Sequence, residues 1–143
     1  MTRTQKQIWI TIGVVAALIA AIFLVYQLYL KSFIEKKLFV QTMKDYKKKC
    51  PITYSNGDRL DSISILSDDK FEYHTTLASV EKENFNTDSF INSTRTRLIK
   101  DIKTDSSLQV LRKNKITLGY SYRDLNGKLL YEVMVTPEMY SNE

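Results

Sequence analysis

The sequence predicts an α+β protein in which a transmembrane helix and a helical stalk precede a small antiparallel sheet with helices packed on one face. Three observations carry this. Residues 8–30 run for 23 residues without Asp, Glu, Lys, Arg or His, residues 31–49 contain neither Gly nor Pro, and the chain beyond Cys50-Pro51 alternates between two hydrophobic periods. Those periods predict the order helix, two strands, helix, three strands. The expected boundaries are a short basic leader over 1–7, a transmembrane helix over 8–30, a juxtamembrane basic helix over 31–50 and an α+β soluble domain over 51–143.

The span comes first because it decides where the rest of the chain resides. At about 1.5 Å per residue, some 20 helical residues cross a hydrocarbon core of roughly 30 Å, and a helix satisfies its own backbone hydrogen bonds as lipid requires. A cleaved secretory signal shares the basic start, Arg3 and Lys6, and the small residues Ala16, Ala17, Ala20 and Ala21. Its apolar region, however, usually stops after about 7–15 residues, whereas this one continues through Phe23 to Leu30. Retention as an anchor is therefore the expectation. Trp9 at one end and Tyr26 and Tyr29 at the other suit the membrane interface, where a ring buries its body and wets its polar tip. Gly13 and the alanines offer a small-residue face for a homodimer through the membrane helix; a plain alanine-rich helix is the competing reading.

The net charge of +5 is local. Residues 31–49 hold seven Lys against Glu35 and Asp45, while residues 50–143 hold 12 basic and 14 acidic side chains. Lys31, Lys36 and Lys37 are expected at anionic headgroups, each contributing on the order of 1 kcal/mol when close to the surface. Lys44 and the run Lys47-Lys48-Lys49 read equally well as a solvated helix face. With no basic stripe interleaved with aromatics, nucleic acid is not an expected partner. Orientation divides the signals. Counting basic residues on either side of the span holds the domain in the cytoplasm, whereas a short leader followed by an apolar stretch is the topology of a signal anchor with the domain translocated.

In the stalk, Phe39, Met43 and Tyr46 recur at helical spacing and Pro51 ends the helix. Pro51 to Arg59 is a turn-rich connector. Ile63 and Ile65 alternate with serines, and Phe71, Tyr73, Thr75 and Leu77 share a face, which predicts a hairpin over 60–79. A polar stretch from Glu81 to Asn86 leads to a helix capped by Thr87 or Asp88, with Ile91, Leu98 and Ile102 as its apolar stripe. Leu108 to Leu111 is expected as a short strand, Ile116 to Tyr122 as the next, and Leu129 to Val135 as the last. Asn126-Gly127 turns the final hairpin and Thr136-Pro137 ends it.

Chemistry-bearing residues are few. His74 is the only histidine and reads as an exposed strand residue, not a metal ligand. Cys50 follows three lysines, which could activate its thiol, but reads as a plain helix-end cysteine. Asp61, Glu72, Asp124 and Glu132 lack a pairing that spacing reveals, and no phosphate loop, HExxH or GxSxG occurs. The expectation is a non-enzyme without cofactor or metal; a deep pocket joining Asp61, Asp124, Arg59 or Arg123 would argue for catalysis. Tyr54, Tyr73, Tyr120, Tyr122, Tyr131 and Tyr140 gather in the sheet-forming part, and tyrosine is a residue that protein-binding surfaces favour.

The blocks Cys50-Pro51, Arg59-Leu60-Asp61, Phe71 to Leu77, Ile102 to Asp105, Leu111 to Asn114, Tyr120 to Gly127 and Val135 to Glu138 resemble an uncharacterised family of small bacterial proteins with an N-terminal hydrophobic anchor. The resemblance covers residues 50–140 and supplies no functional residues. It implies a bacterial envelope location, which favours the exterior orientation. The expected protein is a single-pass inner-membrane chain whose periplasmic domain binds a protein or envelope component, with the lipid bilayer as its other partner. A cytoplasm-facing adaptor or assembly factor is the alternative, and a membrane-tethered inhibitor or immunity-type protein a third.

Overall fold

A computed structural model describes residues 2–80 and 86–141, and the chain divides into two compact units, Met1–Glu35 and Lys36–Glu143. The first unit contains helix α1 (Arg3–Val25), one π-helical turn (Tyr26–Leu30) and the start of helix α2 (Lys31–Lys49). In the π turn the Lys31 amide donates to the Tyr26 carbonyl, five residues back. No α1 residue is buried by protein, and the helix is long and apolar enough to cross a membrane.

The second unit is α+β. Strands β1 (Ile52–Thr53), β2 (Arg59–Ser67), β3 (Lys70–Thr76), β4 (Thr117–Arg123) and β5 (Leu129–Val135) form one sheet in that spatial order. Helices α3 (Thr87–Thr104), α4 (Gln109–Lys113) and α5 (Pro137–Tyr140) complete it. The connector after Pro51 thus contributes an edge strand.

The expected all-antiparallel sheet needs correction: it is mixed, because β3 and β4 are parallel neighbours. Parallel neighbours require a crossover, and α3 with α4 provides it. The predicted strand at Leu108 to Leu111 is instead a 3-10 turn (Ser106–Leu108) running into α4. Asp105 decides this locally, since its carboxylate accepts from the Ser107 amide at 2.8 Å and hydroxyl at 2.7 Å. Arg112 then donates back to the carbonyls of Ile102 and Asp105, tying α4 to the end of α3. The cap of α3 is Asn86, which accepts from the Ser89 amide, one residue before the predicted Thr87 or Asp88. Of the polar stretch from Glu81 to Asn86, residues 81–85 lie outside the described residues.

Cross-strand register sorts side chains onto two faces. One carries three rows: Ile65, Phe71, Leu118 and Val135; then Ile63, Tyr73, Tyr120 and Val133; then Leu60, Thr75, Tyr122 and Tyr131. Phe39, Val40 and Met43 of α2 pack on this face at the β2–β3 side, with Phe39 edge-on to Phe71 at 5.3 Å. On the β5 side α3 covers it with Phe90 and Ile102. The opposite face is Ser64, Glu72, Gly119 and Met134, then Ser62, His74, Ser121 and Glu132.

Candidate functional site: a tyrosine-floored cleft

The tyrosines have a common destination. Between α3 and the β1–β2 loop, a cleft of about 570 Å³ on the helix-covered face is floored by Tyr73, Tyr120, Tyr122 and Tyr131, with Leu60, Thr75 and Leu77 beside them. The rings form a continuous stack: Tyr73 to Tyr120 at 5.3 Å, Tyr120 to Tyr122 at 6.4 Å and Tyr122 to Tyr131 at 4.6 Å between centroids. Phe90 closes the end against Tyr131 at 5.0 Å. Each such contact contributes on the order of 1 kcal/mol beyond burial, so the floor is rigid.

One wall is α3, where Phe90 and Arg97 stand seven residues apart and hence on one helix face. The other is the β1–β2 loop, with Tyr54, Asn56 and Asp58. That wall is tied in place. The Asp58 carboxylate accepts from the Ala78 amide at 2.9 Å and from the Asn56 side chain at 2.7 Å, while the Tyr54 amide donates to the Asp58 carbonyl at 2.8 Å. Gly57 turns the loop at φ +89°, and a Cβ there would stand 3.1 Å from that of Ala78.

Burial governs the electrostatics of the floor. It pushes the Tyr73 phenol up to about 12, with Tyr54 and Tyr46 adding smaller contributions, and raises those of Tyr120 and Tyr131 as well. Tyr122 is raised by the same desolvation, partly countered by the Arg97 guanidinium. At neutral pH the cleft therefore offers neutral phenols, with Arg97 and Asp58 as its charged rim.

A phenol favoured in its protonated form in the fold leaves stability untouched below pH about 10, where the unfolded phenol is also protonated. Above that the unfolded chain loses protons first. Stability should therefore fall from pH about 10 toward 12, by roughly 2–3 kcal/mol for Tyr73 alone. Urea unfolding followed by circular dichroism across that range measures this, and a flat profile would refute a buried phenolic floor.

The other candidates lie elsewhere. Asp61 pairs with Arg59 at 2.5 Å and accepts from Thr76 at 2.6 Å. Asp124 is buried under the final hairpin, accepting from the amides of Asn126 at 2.9 Å and Lys128 at 2.8 Å, and Arg123 donates to the Gly127 carbonyl at 3.0 Å. None of the four lines the cleft. His74 is half-buried on the opposite sheet face, its Nε2 2.8 Å from the Ser64 hydroxyl, with Glu72 and Glu132 on the same face. The Cys50 thiol contacts the Tyr46 carbonyl at 3.6 Å, and burial followed by Asp61 raises its pKa, so the preceding lysines do not activate it.

Tyr140 leaves the tyrosine group: it is buried, donating to the carbonyls of Ile116 at 2.5 Å and Leu111 at 3.2 Å. Trp9, two turns into α1, and Tyr26, just past its last residue, stand exposed roughly 25 Å apart along the helix axis, with Tyr29 and Lys31 beyond. Lys36 and Lys37 belong to the second unit, and Lys36 contributes, after the Ser67 hydrogen bond, to holding the exposed Asp69 carboxyl below its ordinary range. Sequence patterns alone missed Phe90, Arg97, Asn56 and Asp58. The seven-residue spacing of the first two was a usable signal for one helix face, but nothing in it pointed that face at the tyrosines.

Residues 33–131 match the family profile described as Domain of unknown function (DUF8479). No curated protein matches the chain. Among solved structures, the pilotin EpsS of the Vibrio vulnificus type 2 secretion system is similar with a TM-score of 0.55 at 14% identity, over 79% of this chain and 97% of that one. The pilotin AspS of the Vibrio cholerae type II secretion system gives 0.51 at 12%, over 76% and 94%. A Pseudomonas aeruginosa protein provisionally described as secreted gives 0.57 at 13%, over 78% and 97%. At these identities the likeness is one of fold.

Proposed function

The chain belongs to the family described as Domain of unknown function (DUF8479), and from that premise we propose that it is a single-pass, non-enzymatic protein of the bacterial inner membrane whose periplasmic domain binds a segment of another envelope protein in the tyrosine-floored cleft. The carrying observation is the stack from Tyr73 to Tyr131 flooring a cleft between α3 and the β1–β2 loop. Stacked, half-buried rings present an aromatic surface whose ordering was completed on folding, so a ligand pays little additional conformational entropy. The phenols and Arg97 add directional hydrogen bonding at the edge. The lining residues include no nucleophile beside a base, and the fold shared with two type 2 secretion pilotins supports an envelope role.

The test is site-specific photocrosslinking of the full chain in bacterial membranes. A photoreactive residue replacing Tyr54, at the cleft mouth, should give one discrete protein adduct, reduced at least tenfold by Arg97→Glu. The same residue replacing the exposed Leu125, outside the cleft, should give none. Equal adducts from both positions, or none from position 54, would remove the cleft from the proposal. The lysine excess after the span favours the opposite orientation, a cytoplasm-facing adaptor. Protease added outside intact spheroplasts separates the two, because it cleaves only a periplasmic domain.

A further inference from the structure

On the opposite side of α2 from that cleft, the sheet has an unfinished edge. Strand β1 pairs only with Arg59 and Leu60, so β2 continues from Asp61 to Ser67 with a neighbour on one side alone. Among the described residues, no group outside β3 hydrogen-bonds to the main chain of this stretch. Register shifts at its two ends leave Ser62–Ile65 as the regular part. Above it, Gln41, Lys44, Lys47 and Lys48 of α2 and the half-buried Ile65 border a shallow, open recess of about 740 Å³. Lys48 is partly neutralised by Asp45 at 3.4 Å; Lys44 and Lys47 make no ion pair among the described residues.

We propose that this edge accepts an extended acidic segment of a partner protein as a short added strand, its backbone pairing with β2, an apolar side chain meeting Ile65 and its carboxylates facing Lys44 and Lys47. Strand addition pairs β2 backbone groups on the side away from β3, and side chains alternating along the added strand supply the selectivity. The lysines set the sign. They repel a cationic strand and favour a carboxylate-bearing one, so the edge is guarded against indiscriminate pairing and open to one class of partner. This proposal does not depend on the cleft.

The test uses the full chain in neutral phosphatidylcholine nanodiscs and fluorescent peptides alternating Val with Glu, Ser or Lys. The Glu peptide should bind at least tenfold more tightly than the Ser peptide, and the Lys peptide should not bind. The Glu peptide should slow amide exchange within residues 62–66, and Lys44→Glu with Lys47→Glu, both on the helix surface, should weaken it at least tenfold. N-methylation of one alternate set of its residues should abolish binding while the other set tolerates it. Failure of the Glu peptide to bind would overturn the proposal. So would equal tolerance of both methylated sets, which means polyanion attraction without strand pairing. Exchange protection by phosphatidylglycerol nanodiscs equal to that by the peptide would assign the lysines to a lipid surface instead.

Discussion

Replacing Phe71 by alanine is expected to lower the stability of the second unit by about 3–5 kcal/mol, the range for deleting a fully buried phenyl ring. The ring has no exposed surface, sits in the row Ile65, Phe71, Leu118 and Val135, and receives the edge of Phe39 at 5.3 Å. It therefore joins α2 to the sheet. Against a total stability of about 5–15 kcal/mol for an ordinary domain, this loss shifts the urea midpoint strongly in the full chain held in detergent micelles. Leu125→Ala, at a side chain 63% exposed, should change stability by less than about 0.5 kcal/mol and serves as the control. A loss below about 1 kcal/mol for Phe71→Ala would mean that α2 does not pack on the sheet as described.

The second large effect concerns the membrane. Residues 8–30 contain thirteen Ile, Val, Leu and Phe, each favouring the bilayer centre by roughly 0.3–0.6 kcal/mol, so about 4–8 kcal/mol in sum. A lysine near the centre costs roughly 2.5–3.5 kcal/mol. Leu18→Lys together with Ile19→Lys removes two favourable residues and adds two unfavourable ones, which cancels the preference. Carbonate extraction of cell membranes should leave the original chain in the pellet with its first thirty residues intact by mass spectrometry, and release the double variant. A double variant that stays in the pellet would show that something other than the apolar span holds the protein there.

Why some elements were legible and others not follows from the range of the interactions that form them. The hairpin of β2 and β3, the strands β4 and β5 and the helix α3 all carry alternations long enough to identify a period, and each appears where the pattern puts it. Leu108 to Leu111 is too short for a period, since an apolar pair three apart fits a strand or a helical turn equally. Its helical state depends on Asp105 capping and on Arg112 reaching two carbonyls seven and ten residues back. With that segment helical, α3 and α4 together form the crossover between β3 and β4, which are parallel neighbours. The cleft is a further step removed. The tyrosines announce themselves as a group, but which of them share a floor depends on register across three strands, and Tyr140 went to the core instead.

By itself the amino-acid sequence determined the apolar span, the lysine-rich helix behind it, the α+β class and the unusual supply of strand tyrosines, because each is written in neighbouring residues whose periodicity or composition needs no distant partner. The tertiary structure alone decided that the sheet is mixed, that Tyr73, Tyr120, Tyr122 and Tyr131 stack beneath Arg97, and that β2 keeps a bare edge beside Lys44 and Lys47. Those features join separate elements of the chain, such as β3 with β4 and α2 with β2. Their energies come from desolvation and contact across the fold, which no local pattern encodes.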